Sequence, residues 1–167
     1  MIRSIMLVAF GPLMVSAVAQ PADGLTVLSV CELSRDYAKF RDKVVAVRGV
    51  YYYGLRQDCR ERCATGLWPS FMDVEGGRDG VWDELTKTLF SVEGEAKATG
   101  KRFEIWVTVV GRLRTRVKRS CDWKSVGGYG HLGAFPAQII AESMRDIEVR
   151  VNPKSPYDYA NMYHGPL

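Results

Sequence analysis

Two long apolar runs in strand period, "VVAVRGVYYY" from Val44 and "FEIWVTVVGRLRTRVK" from Phe103, are each interrupted by a glycine, and a stretch in helical period precedes each of them. Together they predict a mainly β domain with α elements: a small, curled, OB-like β-barrel with an N-terminal helix and one inserted helix. Curling a sheet removes its exposed edges, and a glycine lets one strand bend enough to serve two walls. The size agrees, because 167 residues at 47% hydrophobic and 25% charged suit one globular domain rather than a disordered chain.

The first residues stand apart from that domain. "MIRSIMLVAFGPLMVSAVAQ" carries one positive charge at Arg3, an apolar stretch from Ile5 to Val18, and Ala17, Val18 and Ala19 ahead of Gln20, which is the small-x-small pattern of a secretory cleavage site. The stretch is short for a membrane span and is broken by Gly11 and Pro12. Residues 1–19 are therefore read as a cleaved signal, residues 20–152 as the barrel domain and residues 153–167 as a polar, Tyr-rich tail. The mature protein is expected to be exported, periplasmic or extracellular, without a transmembrane segment. Removal of Arg3 leaves 22 cations against 19 acids, a net +3, which by itself implies no polyanionic partner.

Along the mature chain, Ser29 suits a helix N-cap, and Val30, Leu33, Tyr37 and Phe40 recur on one helical face until Arg41, Asp42 and Lys43 break the pattern. The strand from Val44 follows, eight to ten residues long, with Gly49 at a point of tight curvature. "GLRQDCRERCATG" reads as a polar loop, "LWPSFMDVE" as a second strand near an edge because of Pro69, and "EGGRDG" as a turn. In "VWDELTKTLFSVEGEAKATGK", Val81, Leu85, Leu89 and Val92 give a helix whose exit is bracketed by Gly94 and Gly100. The strand from Phe103 sets Ile105, Val107, Val109, Leu113, Thr115 and Val117 on one face and Glu104, Trp106, Thr108, Arg112, Arg114, Arg116 and Lys118 on the other, with Gly111 as the place to bend. "PAQIIAESMRDIEVRV" closes the core with one or two last strands.

Cys31, Cys59, Cys63 and Cys121 make an even number, and in an exported chain they read as disulfides. Zinc is the competing use, but Cys59 and Cys63 lack a second close pair to complete a site. Three connectivities are open. Longer closed loops remove more entropy from the unfolded chain, about 3 to 5 kcal/mol, which favours Cys31 with Cys59 and Cys63 with Cys121. Neither metal nor cofactor is otherwise called for.

"SVCELSRDYAKFRDKVVAVRGVY", with the later "VVGRL" and "GYGHLG", resembles a group of small exported bacterial proteins with an OB-like barrel and no established activity. The similarity runs from Ser29 to Val149, with "GYGHLG" its most specific piece. It implies fold and export, and carries no catalytic residues with it.

"GGYGHLGAFPAQI", residues 127–139, poses the sharpest local question. A phosphate-binding loop needs a lysine and a hydroxyl residue before a helix, and a dinucleotide fingerprint needs a strand before and a helix after; neither setting is present. His131 as a general base wants an orienting partner, and neither Asp122, Glu142, Asp146 nor the distant His164 is singled out by spacing. The preferred reading is a tight corner in which the glycines adopt positive φ and His131 bonds loop backbone.

The cations are more pointed. Arg112, Arg114, Arg116 and Lys118 repeat with period two, so a strand presents all four on one face within about 20 Å. The first strand's exit adds Tyr51, Tyr53, Arg56 and Trp68, residue types used where single-stranded nucleic acid or oligosaccharide is stacked and held. The function expected is therefore an exported non-enzymatic binding module whose Tyr/Arg-rich face takes a polyanion, an oligonucleotide or a glycan. The rival is a structural cell-envelope protein whose cations are merely solvated and paired with Glu104, Glu142 and Glu148, with an envelope protein as partner; a His131-dependent hydrolase ranks last.

Overall fold

A computed structural model describes residues 24–59, 66–70, 81–119, 121–122, 127–130 and 133–162. The expected signal, Cys63, His131 and His164 lie outside the described residues.

Ser29 caps the first helix as its sequence suggests. Its hydroxyl accepts from the Glu32 amide at 3.1 Å and the Glu32 carboxylate accepts from the Ser29 amide at 2.7 Å, a reciprocal box that holds the Glu32 carboxyl below its usual range. The single helix expected from the apolar spacing is split in two, α1 (Val30–Arg35) and α2 (Tyr37–Phe40). Asp36 causes the break: its backbone leaves helical space at φ −152° and ψ 77°, and its side chain caps the next turn by accepting from the Lys39 amide at 3.3 Å. A short strand, β1 (Val27–Ser29), precedes them, too brief to show a period in the sequence.

The strand from Val44 is shorter than the apolar run that announces it. β2 (Val44–Tyr51) ends where Tyr53 at φ 51° and Gly54 at φ 149° reverse the chain, and Leu55 and Arg56, expected in a loop, return as β3 (Leu55–Arg56). β4 (Gly66–Ser70) follows. The inserted helix α3 (Val81–Thr99) passes through Gly94, which faces open space, rather than ending there, and Gly100 at φ 67° terminates it. β5 (Phe103–Thr115) and β6 (Ala137–Val151) are long and antiparallel, and β6 is one strand rather than two.

These strands form one six-stranded mixed sheet in the order β1-β2-β3-β4-β6-β5. β2 also pairs with β5, antiparallel from Val44 opposite Arg112 to Val50 opposite Trp106, so the sheet closes partly in a ring with β1 hung outside it. β4 and β6 run parallel, Leu67 opposite Ala137 to Ser70 opposite Ile140. Gly111 is where the ring is tightest. A side chain there would meet the Ile140 carbonyl oxygen at 2.0 Å, and the pairing of β5 with β6 slips between Val110 and Gly111.

Inside the ring, Val47, Leu55, Leu67, Ile105, Val107, Val109, Leu113 and Ile139 are buried. α3 adds Leu85, Leu89, Val92 and Ala96 from one face, each large apolar side chain worth about 1.5–3 kcal/mol on burial. The segment after β6, polar by composition, is amphipathic in space: Tyr159 and Met162 enter the same core while Arg102 pairs with Asp158 at the surface. Cys31 is bonded to Cys59, tying α1 to the segment after β3 as the loop-length argument favours and excluding zinc at that pair. Cys121 is also disulfide-bonded; Cys63, its expected partner, is not described.

Candidate binding face

Register fixes which side chains share the outer face of the sheet, because paired residues point the same way and alternate residues repeat it. Trp68 is opposite Gln138 and Gln138 is opposite Arg114, so these three make one row across β4, β6 and β5. With strands about 4.8 Å apart, Trp68 and Arg114 start about 10 Å from one another. Arg112 lies in the next row, between Val44 and Ile140. Arg56 is opposite Gly66, two residues from Trp68, and so belongs to the same face.

The expected alternation of burial is present, but β5 ends at Thr115, so Arg116 and Lys118 lie in the segment that follows rather than on the strand. Arg112, Arg114, Arg116 and Lys118 are exposed while Leu113, Thr115 and Val117 between them are buried. The cations form a ridge, and its two ends differ. Arg112 donates through Nη1 to the Asp42 carbonyl at 2.7 Å, and Arg114 through Nη1 to the Asp42 carboxylate at 2.8 Å. Arg116 lies over the Tyr129 ring, 5.6 Å from its centroid, and among the described residues no carboxylate pairs with Arg116 or Lys118. The acids expected to neutralise the ridge are occupied elsewhere or unpaired with it. Glu148 bridges Arg48 at 2.8 Å and Arg150 at 2.7 Å, which holds its carboxyl low, while Glu104 accepts from the Trp106 indole and the Asn152 amide.

The glycine-rich stretch serves this face. Tyr129 and Phe135 pair through two backbone hydrogen bonds, 2.7 and 3.1 Å, and Phe135 packs against β3 and β4. A side chain at Gly54 would stand 2.6 Å from that ring, so the position must lack one, and one at Gly66 would press on it at 3.0 Å. Arg56 covers Phe135 at 4.9 Å and Trp68 packs on it at 5.5 Å; Gly130 in turn rests on the indole. The described part of the stretch seats one aromatic ring, with Gly127, Gly130 and Gly133 but not Gly128 at positive φ, and His131 lies outside the described residues.

Seating Phe135 changes the roles of the aromatic and cationic residues around the first strand's exit. Arg56 is half-buried, with Nε donating to the Tyr52 carbonyl at 2.9 Å, and loss of water lowers its pKa. Tyr51 lies on the inner face with Leu55 and Leu67, and burial pushes its phenol up to about 12. Tyr53 is at the surface beside Tyr52, which also meets Tyr157 and Tyr159. Trp68 and the ridge therefore share one face, Arg56 is drawn onto Phe135, and Tyr51 and Tyr53 stand apart from both.

Sequence reasoning does not find Asp42, Tyr129 or Phe135. Asp42 looks like a helix-breaking charge, and only the return of β2 alongside β5 brings it to the ridge. Among the described residues no group of three or more His, Cys, Asp or Glu side chains could hold a metal ion, and no helix is long and apolar enough to cross a membrane. Compared with protein-family models, curated proteins and solved structures, the chain matches none.

Proposed function

We propose that the protein is an exported, non-enzymatic binding module of the OB-like kind that takes a linear polyanion along the ridge from Arg112 to Lys118. The barrel reading is supported by the ring of pairings β2-β3-β4-β6-β5-β2, by the parallel contact of β4 with β6, and by a helix inserted between β4 and β5. Export is supported by the disulfide between Cys31 and Cys59, by the signal-like leader and by the resemblance to small exported bacterial proteins.

The observation that carries the ligand class is the exposed alternation of Arg112, Arg114, Arg116 and Lys118. Arg112 and Arg114, alternate residues of β5, are about 6.7 Å apart, a step comparable with successive phosphates of an extended single strand, and Arg116 and Lys118 follow just past the strand's end at Thr115. Tyr129 borders the ridge beside Arg116 and supplies a flat ring of the kind such sites use. A glycan would instead require hydroxyl recognition, for which the ridge offers only cations.

Fluorescence anisotropy with a labelled single-stranded oligonucleotide at rising salt tests the reading. Four phosphate contacts give a slope of log K against log salt of about −3. Oligonucleotide binding that ignores salt overturns phosphate recognition by the ridge, and no binding at low salt leaves the glycan and structural envelope readings.

A further inference from the structure

Asp42 is held against the ridge by its backbone, not by its charge. It is one of three described non-glycine residues with positive φ, at 59°. Its amide donates to the Leu113 carbonyl at 2.8 Å, and the Leu113 amide donates back to the Lys43 carbonyl at 2.9 Å, so the turn is stitched to β5 between Arg112 and Arg114. From that place it offers two oxygens to two guanidinium groups, the carbonyl to Arg112 and the carboxylate to Arg114. The Arg114 and Asp42 side chains are 53% and 55% exposed, so the pair is open to exchange with a solvent anion.

We infer that Asp42 is an internal competitor for the anion positions of Arg112 and Arg114, and that it directs the phosphates of a single-stranded polyanion first to Arg116 and Lys118. This rests on the polyanion reading above. A phosphate that reaches Arg114 must displace the carboxylate or lie beside it against its charge. At Arg116 and Lys118 it meets no such rival among the described residues, and Tyr129 stands beside Arg116. Asp42 thus lowers overall affinity while making one end of the ridge the stronger.

The test is oligonucleotide anisotropy with Asp42→Asn, since asparagine tolerates the left-handed backbone and the turn keeps its own hydrogen bonds. Binding should tighten about two- to fivefold, the worth of an exposed ion pair, and the salt slope should steepen by about 0.7 for one added phosphate contact. Glu95→Gln on α3, whose exposed carboxylate pairs with Lys101 at the far end of β5, alters net charge equally and should leave affinity unchanged. In the wild type, Arg116→Gln should weaken binding more than Arg114→Gln, and in Asp42→Asn the two should cost alike. If Asp42→Asn fails to fold, Asp42→Gly, to which this φ is natural, carries the same comparison. Equal tightening by Glu95→Gln, or an unchanged Asp42→Asn beside a binding wild type, overturns the inference alone. Failure of both wild type and Asp42→Asn to bind at low salt overturns the polyanion reading with it.

Discussion

The Tyr159 hydroxyl donates to the Tyr51 carbonyl at 2.6 Å and accepts from the Ile105 amide at 3.2 Å. It joins the end of β2 to the start of β5 just where their pairing has stopped, and so satisfies two backbone groups that the sheet leaves over. Tyr159→Phe keeps the ring and strands both groups. It should cost about 1–3 kcal/mol, read as a lower urea midpoint with unchanged slope.

Alkaline pH should attack the same region. Burial holds the Tyr51 phenol at about 12 and raises Tyr37 and Tyr159 above their ordinary 10.0 as well. A raised folded value means that the unfolded chain releases its protons first. Stability from these phenols is full below about pH 10 and falls as pH rises through the folded values, by about 1.4 kcal/mol per pH unit for each tyrosine. Urea titrations between pH 8 and 12 should show that fall, and phenolate absorbance from these residues should appear together with unfolding rather than before it.

Reversing charge on the ridge separates binding from folding. Arg114→Glu with Arg116→Glu replaces two exposed side chains and should change stability by about 1 kcal/mol or less. Oligonucleotide binding should fall at least tenfold and lose about half its salt dependence. Equal binding by the double variant would assign the ridge to solvent alone.

Gly111→Ala should be far more damaging than its size suggests. The added carbon would lie 2.0 Å from a backbone oxygen on β6, so the two longest strands must part or slip. A loss of about 3 kcal/mol or more is expected, whereas Gly94→Ala on α3, which meets nothing within 4 Å, should stabilise by about 1 kcal/mol. Thermal unfolding of the two variants side by side checks both signs.

Replacing Cys31 and Cys59 together by serine opens a loop with a sequence separation of 28 residues. The chain-entropy cost is about 3.5 kcal/mol. Non-reducing peptide maps should recover the Cys31 and Cys59 peptides linked, and a Cys59 peptide joined to Cys63 would refute that bond.

Much of this was legible from period and punctuation. The alternation on β5, the cap at Ser29, the bend at Gly111 and α3 all follow from local patterns, because each is decided by neighbours a few residues away. What was not legible depends on distant partners. β3 is a two-residue strand recognisable only by its pairing with β2 and β4. Tyr159 sits in a polar stretch whose buried face appears only once β2 and β5 have diverged. Arg56 reads as a surface cation until Phe135, far along the chain, is brought under it. Asp42 belongs to the ridge through a turn that has no signature beyond its own positive φ.

The partial closure of the sheet also dictates the order in which the protein can be made. β2 needs β5 on one side and β4 needs β6, so both long edges of the first half wait for strands synthesised last. A chain interrupted before Lys101 therefore presents two unpaired edges and lacks the strands on which α3 packs. Contacts so distant in sequence are slow to form, which leaves the nascent chain open for longer than a helical protein of this size. Under the export proposed above that delay is an advantage, and for a chain retained where it was made it is an invitation to aggregate.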